Sequence, residues 1–158
     1  MKKLVRILPL VAFLSLASCK KDQKADQLIT EDQTAAPAPA APTQEELVKE
    51  AQAKPLTTVA LSESDFDFGK IKKGEHVEHV YEVTNTGTNP LIISQVKPAC
   101  GCTIPDYTKD PILPGQKGKI TLKFDSTNFD GLVNKQAEVY ANVEKAPIML
   151  TFSANIQP

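Results

Sequence analysis

The sequence predicts an all-β domain, an antiparallel β-sandwich of immunoglobulin-like type with about seven strands, preceded by a disordered tether. Three observations predict it. Apolar and polar residues alternate over most of the second half of the chain, which places one face of each segment on a core and the other in water. Glycine, asparagine and proline punctuate that alternation at sandwich spacing. No helical period of useful length interrupts it between Thr58 and Pro158.

The chain opens with Lys2, Lys3 and Arg6, then an apolar run from Ile7 to Leu16 broken only by Pro9 and Ser15. That run is far below the ~20 apolar residues that span a bilayer, so residues 1–18 read as a signal peptide. Leu16-Ala17-Ser18-Cys19 resembles the bacterial lipobox, in which the cysteine is lipidated and becomes the first residue. On that resemblance Cys19 carries covalent lipid, and no other cofactor is expected. Acyl chains contribute ~0.8 kcal/mol per buried CH₂, enough for several chains to hold the protein on a membrane. The alternative is an ordinary signal peptide with a cysteine beside its cleavage site. Gram-negative lipoproteins reach the outer membrane unless a retention signal follows the cysteine. Lys20-Lys21-Asp22 only weakly resembles the lysine-plus-acid signals of surface export. The expected address is therefore the outer membrane, facing the periplasm, with surface exposure as the alternative.

The 158 residues carry 18 basic and 19 acidic side chains, and loss of residues 1–18 leaves a net charge of about −4. That balance argues against nucleic acid, whose binders concentrate basic charge.

From Lys20 to about Thr57 the chain is Lys, Gln, Asp, Ala and Pro, centred on Ala35-Ala36-Pro37-Ala38-Pro39-Ala40-Ala41-Pro42. Such a segment cannot offset ~1–2 kcal/mol of backbone ordering per residue, and it reads as an extended tether. Within it Thr43-Gln44-Glu45-Glu46 has the form of a capping box leading into Leu47, Val48 and Ala51. Residues 44–53 are a candidate short helix, marginal alone. The expected organisation is a signal peptide at 1–18, a tether at 19–57 and a sandwich at 58–158.

Every aromatic residue except Phe13 falls between Phe66 and Phe152, which is where a core must lie. Ile120, Leu122 and Phe124 alternate with Thr121, Lys123 and Asp125. Ala137, Val139, Ala141 and Val143 alternate with Glu138, Tyr140 and Asn142, and Ile148, Leu150, Phe152, Ala154 and Ile156 with Met149, Thr151, Ser153 and Asn155. Val77, Tyr81 and Val83 form another run, with His79 in register. Leu91, Ile92, Ile93 and Val96 form a more continuous one, Phe66 and Phe68 a short one, and Val59 with Leu61 a candidate opening strand. Parity places Tyr107, Tyr140 and Met149 on the solvent side.

Pro98-Ala99-Cys100-Gly101-Cys102-Thr103-Ile104-Pro105 is the unusual chemistry. Two readings stand. In one, Cys100 and Cys102 form a small disulfide, or pack as small side chains, and stiffen a loop; closure over so few residues adds little global stability. In the other they are a reactive or metal-binding dithiol, with Gly101 supplying the backbone φ that turns both sulfurs to one side. His76 is a weak candidate third ligand for a soft ion. His79 lies three residues on and faces the other way along a strand. Ser62, Ser64, Asp65 and Asp67 have no histidine close in sequence and no nucleophile elbow, and the seven glycines are scattered at turns, so no hydrolase or phosphate loop is legible.

Phe66-Asp67-Phe68-Gly69, Asn85-Thr86-Gly87, Pro90-Leu91-Ile92-Ile93, Cys100-Gly101-Cys102-Thr103 and Pro114-Gly115 resemble, in this order, the bacterial exported family known as domain of unknown function 1573. The resemblance covers about Leu61 to Pro158. It implies an immunoglobulin-like sandwich similar to domains of pilus chaperones, major sperm protein and cilia-associated proteins, and it implies no activity. The expected function is that of a lipid-anchored, non-catalytic binding or scaffold module for an envelope protein or polymer. Thiol redox or soft-metal handling through Cys100 and Cys102 is the alternative.

Overall fold

The structure, a computed structural model, describes residues 41–158. The signal peptide, Cys19 and most of the tether lie outside the described residues. One helix, α1 (Gln44–Gln52), precedes eight strands: β1 (Val59–Leu61), β2 (Asp65–Lys72), β3 (His76–Asn85), β4 (Ile93–Pro98), β5 (Thr103–Tyr107), β6 (Lys117–Asp125), β7 (Gly131–Ala141) and β8 (Ile148–Gln157). They form two four-stranded sheets, ordered β1-β3-β6-β5 and β2-β8-β7-β4. The fold is an immunoglobulin-like all-β sandwich. No helix among the described residues is long and apolar enough to cross a membrane.

The period-two segments supply the core. Ile120, Leu122 and Phe124 of β6 are buried against Ala137 and Val139 of β7 and Leu150, Phe152 and Ala154 of β8. Each large side chain buried this way stabilises the fold by ~1.5–3 kcal/mol. Tyr81 of β3 crosses the core and donates its hydroxyl to the Thr151 carbonyl of β8 at 2.7 Å, so the two sheets share a hydrogen bond as well as a packed interior.

Two buried asparagines fix the ends. Asn85 closes β3 and Asn142 follows β7, and both are fully inaccessible. The Asn142 amide donates to the carbonyls of Pro55 and Pro90 at 2.6 and 2.9 Å, and its side-chain oxygen accepts from the Ile92 N–H at 2.7 Å. Every polar atom of these side chains is thereby satisfied, which a buried amide requires.

The capping box read from the sequence forms. The Thr43 hydroxyl accepts from the Glu46 N–H at 3.3 Å, and the Glu46 carboxylate accepts from the Thr43 N–H at 2.7 Å. A helix this short does not persist in water by propensity. Burial of Leu47 and Ala51 against Tyr140 holds it. Gln52 adds hydrogen bonds from Nε2 to the carbonyls of Val143 and Glu144, at 2.9 and 3.0 Å.

The structure departs from the strand pattern in four places. Tyr140 and Asn142, solvent-facing by parity, are 0% exposed, because α1 and the segment after it cover that part of the outer face. Residues 43–57, expected as tether, therefore pack on the sandwich, with Thr57 bridging to Val143. The β2–β8 ladder is parallel within an otherwise antiparallel set. β5, whose Pro105 masks any alternation, is an additional strand paired with β6.

Candidate functional site

β4 is an edge of one sheet and β5 an edge of the other, and Ala99–Cys102 carries the chain between them. Backbone bonds anchor this crossover on both sides. The Ala99 N–H donates to the Gln136 carbonyl at 3.0 Å, and the Asp125 N–H donates to the Cys102 carbonyl at 3.0 Å. The Thr103 N–H closes the turn on the Cys100 carbonyl at 3.3 Å.

Cys100 and Cys102 are joined in a disulfide, with their Cα atoms 5.3 Å apart. Both side chains are half-buried, and Cys102 packs against the core. The Thr103 hydroxyl lies 3.8 Å from each sulfur, and Thr103 itself is buried. Gly101 differs from the expectation. Its φ lies outside the left-handed region, and a Cβ built on it would meet nothing within 4 Å. The loop conformation therefore does not demand glycine.

The disulfide sits between two clefts. Cys100 borders one of about 520 Å³, with Asp65, Asn134, Gln136 and Thr151 on the outer face of the β2-β8-β7-β4 sheet. Cys102 borders one of about 290 Å³, with His76, Ile104, Lys123 and Asp125. The structure thus brings His76 to the Cys102 side of the loop. His79 is placed elsewhere: it stacks on Phe66 with ring centroids 3.5 Å apart, and its Nε2 lies 2.9 Å from a Glu63 carboxylate oxygen. With both sulfurs in a disulfide neither is a thiolate ligand. Among the described residues no three His, Cys, Asp or Glu side chains gather as a metal-binding group.

The first cleft opens onto a ladder of small polar side chains. Asp65, Thr151 and Gln136 form one row across β2, β8 and β7, and Asp67, Ser153 and Asn134 the next. Adjacent strands are ~4.8 Å apart and alternate residues along a strand ~6.6 Å, so these groups stand on a regular grid. The Thr151 hydroxyl donates to Asp65, and the Ser153 hydroxyl donates to Asp67 at 2.8 Å. The Gly69 N–H and then the Ser153 hydroxyl hold the Asp67 carboxyl below its ordinary pKa, keeping it an acceptor. The exposed Asn134 and Gln136 amides make no side-chain hydrogen bond among the described residues. Thr103 adjoins the cysteine motif and was readable as part of it. The ladder was not readable, because it depends on which strands pair.

Residues 59–156 match the family described as "Protein of unknown function (DUF1573)". The chain belongs to the DUF1573 family. The match excludes α1 and the segment that joins it to β1. No functionally curated protein matches the sequence. Among solved structures, the DUF1573 domain is similar to a protein of unknown function from Porphyromonas gingivalis W83, at 20% identity and a TM-score of 0.56. That similarity covers 66% of this chain and 48% of the other, so the chain spans about half the length of the structure it matches. It is also similar to VesB protease of Vibrio cholerae at 12% identity and a TM-score of 0.50, over 63% of this chain and 32% of the protease. A third similarity is to the ASH/PapD-like domain 7 of human CEP192, at 15% identity and a TM-score of 0.48, over 66% of this chain and 89% of that domain. For the first two of these, at such identities, the shared property is the fold.

Proposed function

We propose that this DUF1573 protein is a lipid-anchored, periplasm-facing outer-membrane lipoprotein whose sandwich is a non-catalytic binding module. Its partner is an uncharged envelope polymer rich in hydroxyl and amide groups. The observation that carries this reading is the ladder beside the 520 Å³ cleft: oriented Asp65 and Asp67 acceptors next to the exposed Asn134 and Gln136 amides. Carboxylates accept from hydroxyl and amide donors, and side-chain amides both donate and accept, so the grid meets a polymer of mixed donors and acceptors. Lys135 also lines the cleft but holds its ammonium 4.0 Å from the Phe129 ring centre, so the two carboxylates set the charge of the outer rows and disfavour an anionic polymer. Membrane attachment rests on Cys19, and the lipobox reading of the sequence supports it.

The test is co-sedimentation of the purified chain with insoluble envelope glycan, comparing wild type with Asn134→Ala/Gln136→Ala. The reading expects binding by wild type and about tenfold weaker binding by the variant, the loss of one or two hydrogen bonds. No sedimentation of wild type, or equal sedimentation of both, overturns it. The address is tested by labelled-palmitate incorporation and by protease treatment of intact cells, with Cys19→Ala losing the label.

A further inference from the structure

We propose that the Cys100–Cys102 disulfide is a thiol–disulfide exchange site that takes a dithiol as co-reactant, with the Thr103 hydroxyl as hydrogen-bond donor to the thiolate released. The exchange uses no side chain of the polar ladder, although Cys100 borders the same cleft.

The first ground is the position of Thr103. Its hydroxyl is buried and lies 3.8 Å from both sulfurs, with no other hydrogen-bond partner among the described residues. Disulfide sulfur is a weak acceptor, so in the oxidised form this donor is poorly used. A thiolate in the same place is a charged acceptor, and hydrogen bonds to charged acceptors are roughly twice as strong. The hydroxyl therefore favours the reduced protein and lowers the thiol pKa.

The second ground is that the disulfide has little folding work. The crossover is already held by the Ala99, Thr103 and Asp125 backbone bonds. A covalent ring spanning so few residues removes little entropy from the unfolded chain. The third is access. Gly101 is neither strained nor crowded, so the missing Cβ serves no local conformation, and it leaves the outer side of the loop open.

The surroundings of the two sulfurs set their roles. Cys102 packs against the core, whereas Cys100 borders the larger cleft. A thiolate of the incoming dithiol attacks Cys100 Sγ, the Cys100–Cys102 bond breaks, and Cys102 leaves as a thiolate beside Thr103. The second thiol of the co-reactant then attacks its own sulfur in the mixed disulfide and releases Cys100. Two electrons and two protons pass to the protein, and the dithiol becomes a disulfide. A leaving thiol of lower pKa departs faster, so Thr103 accelerates the first step.

The experiment uses the full chain with dithiothreitol as the dithiol probe, acid quenching, alkylation and intact-mass analysis. The thiol pKa comes from the pH dependence of alkylation of the reduced protein. The proposal expects reduction of the folded protein. It also expects a thiol pKa about one unit higher and a reduction rate about threefold lower in Thr103→Val, with Thr103→Ser restoring both. Melting of the oxidised forms checks that each variant is folded. Gly101→Val should slow reduction without lowering the melting temperature. In the reverse direction, with glutathione disulfide as the oxidant, Cys102→Ser should form a mixed disulfide through Cys100, releasing one glutathione thiolate, faster than Cys100→Ser does through Cys102. A disulfide that resists dithiothreitol until the protein unfolds overturns the proposal, as does a thiol pKa that Thr103→Val leaves in place. Glycan co-sedimentation by Thr103→Val separates this site from the polymer face: Thr103 does not line that cleft, so binding should match wild type whichever way the thiol experiment falls.

Discussion

The Thr57 hydroxyl donates to the Asn85 side-chain oxygen at 2.8 Å, a buried bond between the segment that follows α1 and the end of β3. The same oxygen accepts from the Gly87 N–H at 3.1 Å, and the Asn85 amide donates to the carbonyls of Asn89 and Ile112, both at 2.8 Å. One side chain thus joins the N-terminal approach, the turn after β3 and the connection between β5 and β6. Asn85→Ala leaves these groups buried and unpaired. A loss of about 3 kcal/mol is expected in urea unfolding, with the other termini of the fold intact. A loss under about 1 kcal/mol would mean that water replaces the amide.

Gly87 completes the Asn-Thr-Gly turn by closeness. A Cβ there would collide with Thr57 Oγ1 and approach the Thr58 nitrogen within 2.6 Å. Gly87→Ala should cost about 1–3 kcal/mol through this overpacking, whereas Gly101→Ala should stay within about 0.5 kcal/mol of wild type. Thermal melting of the two variants side by side checks the contrast, and equal shifts would refute it.

Tyr81→Phe removes the inter-sheet bond to Thr151 and keeps the ring. A loss of about 1–2 kcal/mol with an unchanged urea m-value is expected, since the exposed surface on unfolding is the same.

Both buried tyrosines make the fold sensitive to alkali. Burial, then the charges of Asp65 and Glu63, push the Tyr81 phenol well above its ordinary pKa. Burial, then the Glu138 carboxylate, push Tyr140 up to about 12. A phenol whose pKa is raised on folding contributes fully below the unfolded value near 10, and that contribution is lost as pH climbs toward the folded value. Stability should therefore decline between about pH 10 and 12, and Tyr140→Phe should flatten the decline. Urea midpoints measured across that window check the slopes, and parallel slopes would exclude Tyr140 as a source.

Leu47→Asp places a charge in the small apolar contact between α1 and Tyr140. Amide exchange in residues 44–52 should accelerate by roughly a hundredfold while β6 and β8 remain protected, because α1 has a lower local stability than the core strands. Uniform acceleration would make helix and sandwich one cooperative unit.

The core strands were legible in the sequence because their burial is one-sided. Ile120, Leu122 and Phe124 are buried as their alternation requires, as are Leu150, Phe152, Ala154 and Ile156. Tyr140 was not legible: alternation assigns it to the outer face, and so it is, but nothing in β7 tells that a separate amphipathic turn will cover it. The signal lay in Thr43–Ala51, where Leu47 and Ala51 share one helical face. Tyr107, the other tyrosine on the outward parity, is half-buried, with the Lys109 ammonium 3.1 Å from its ring centre and its hydroxyl donating to the Ser94 carbonyl. The parallel pairing of β2 with β8 was unreadable for a different reason, since alternation fixes a strand's faces and leaves its neighbours open. At the candidate site the cysteine pair stood out by composition. The equidistance of Thr103 from both sulfurs depends on the local turn, and the row of Asp67, Ser153 and Asn134 required the sheet register.

The docking of α1 also sets a load path. Any pull on the chain before Thr43 reaches the helix first, then the bonds from Asn142 and Asn85 to Pro55 and Thr57, and only afterwards the ladder of β1. The helix is the weakest of these links, held by two buried side chains and a glutamine. Under such a pull α1 is expected to open before the sandwich does, lengthening the chain by the difference between coiled and extended backbone and baring Tyr140.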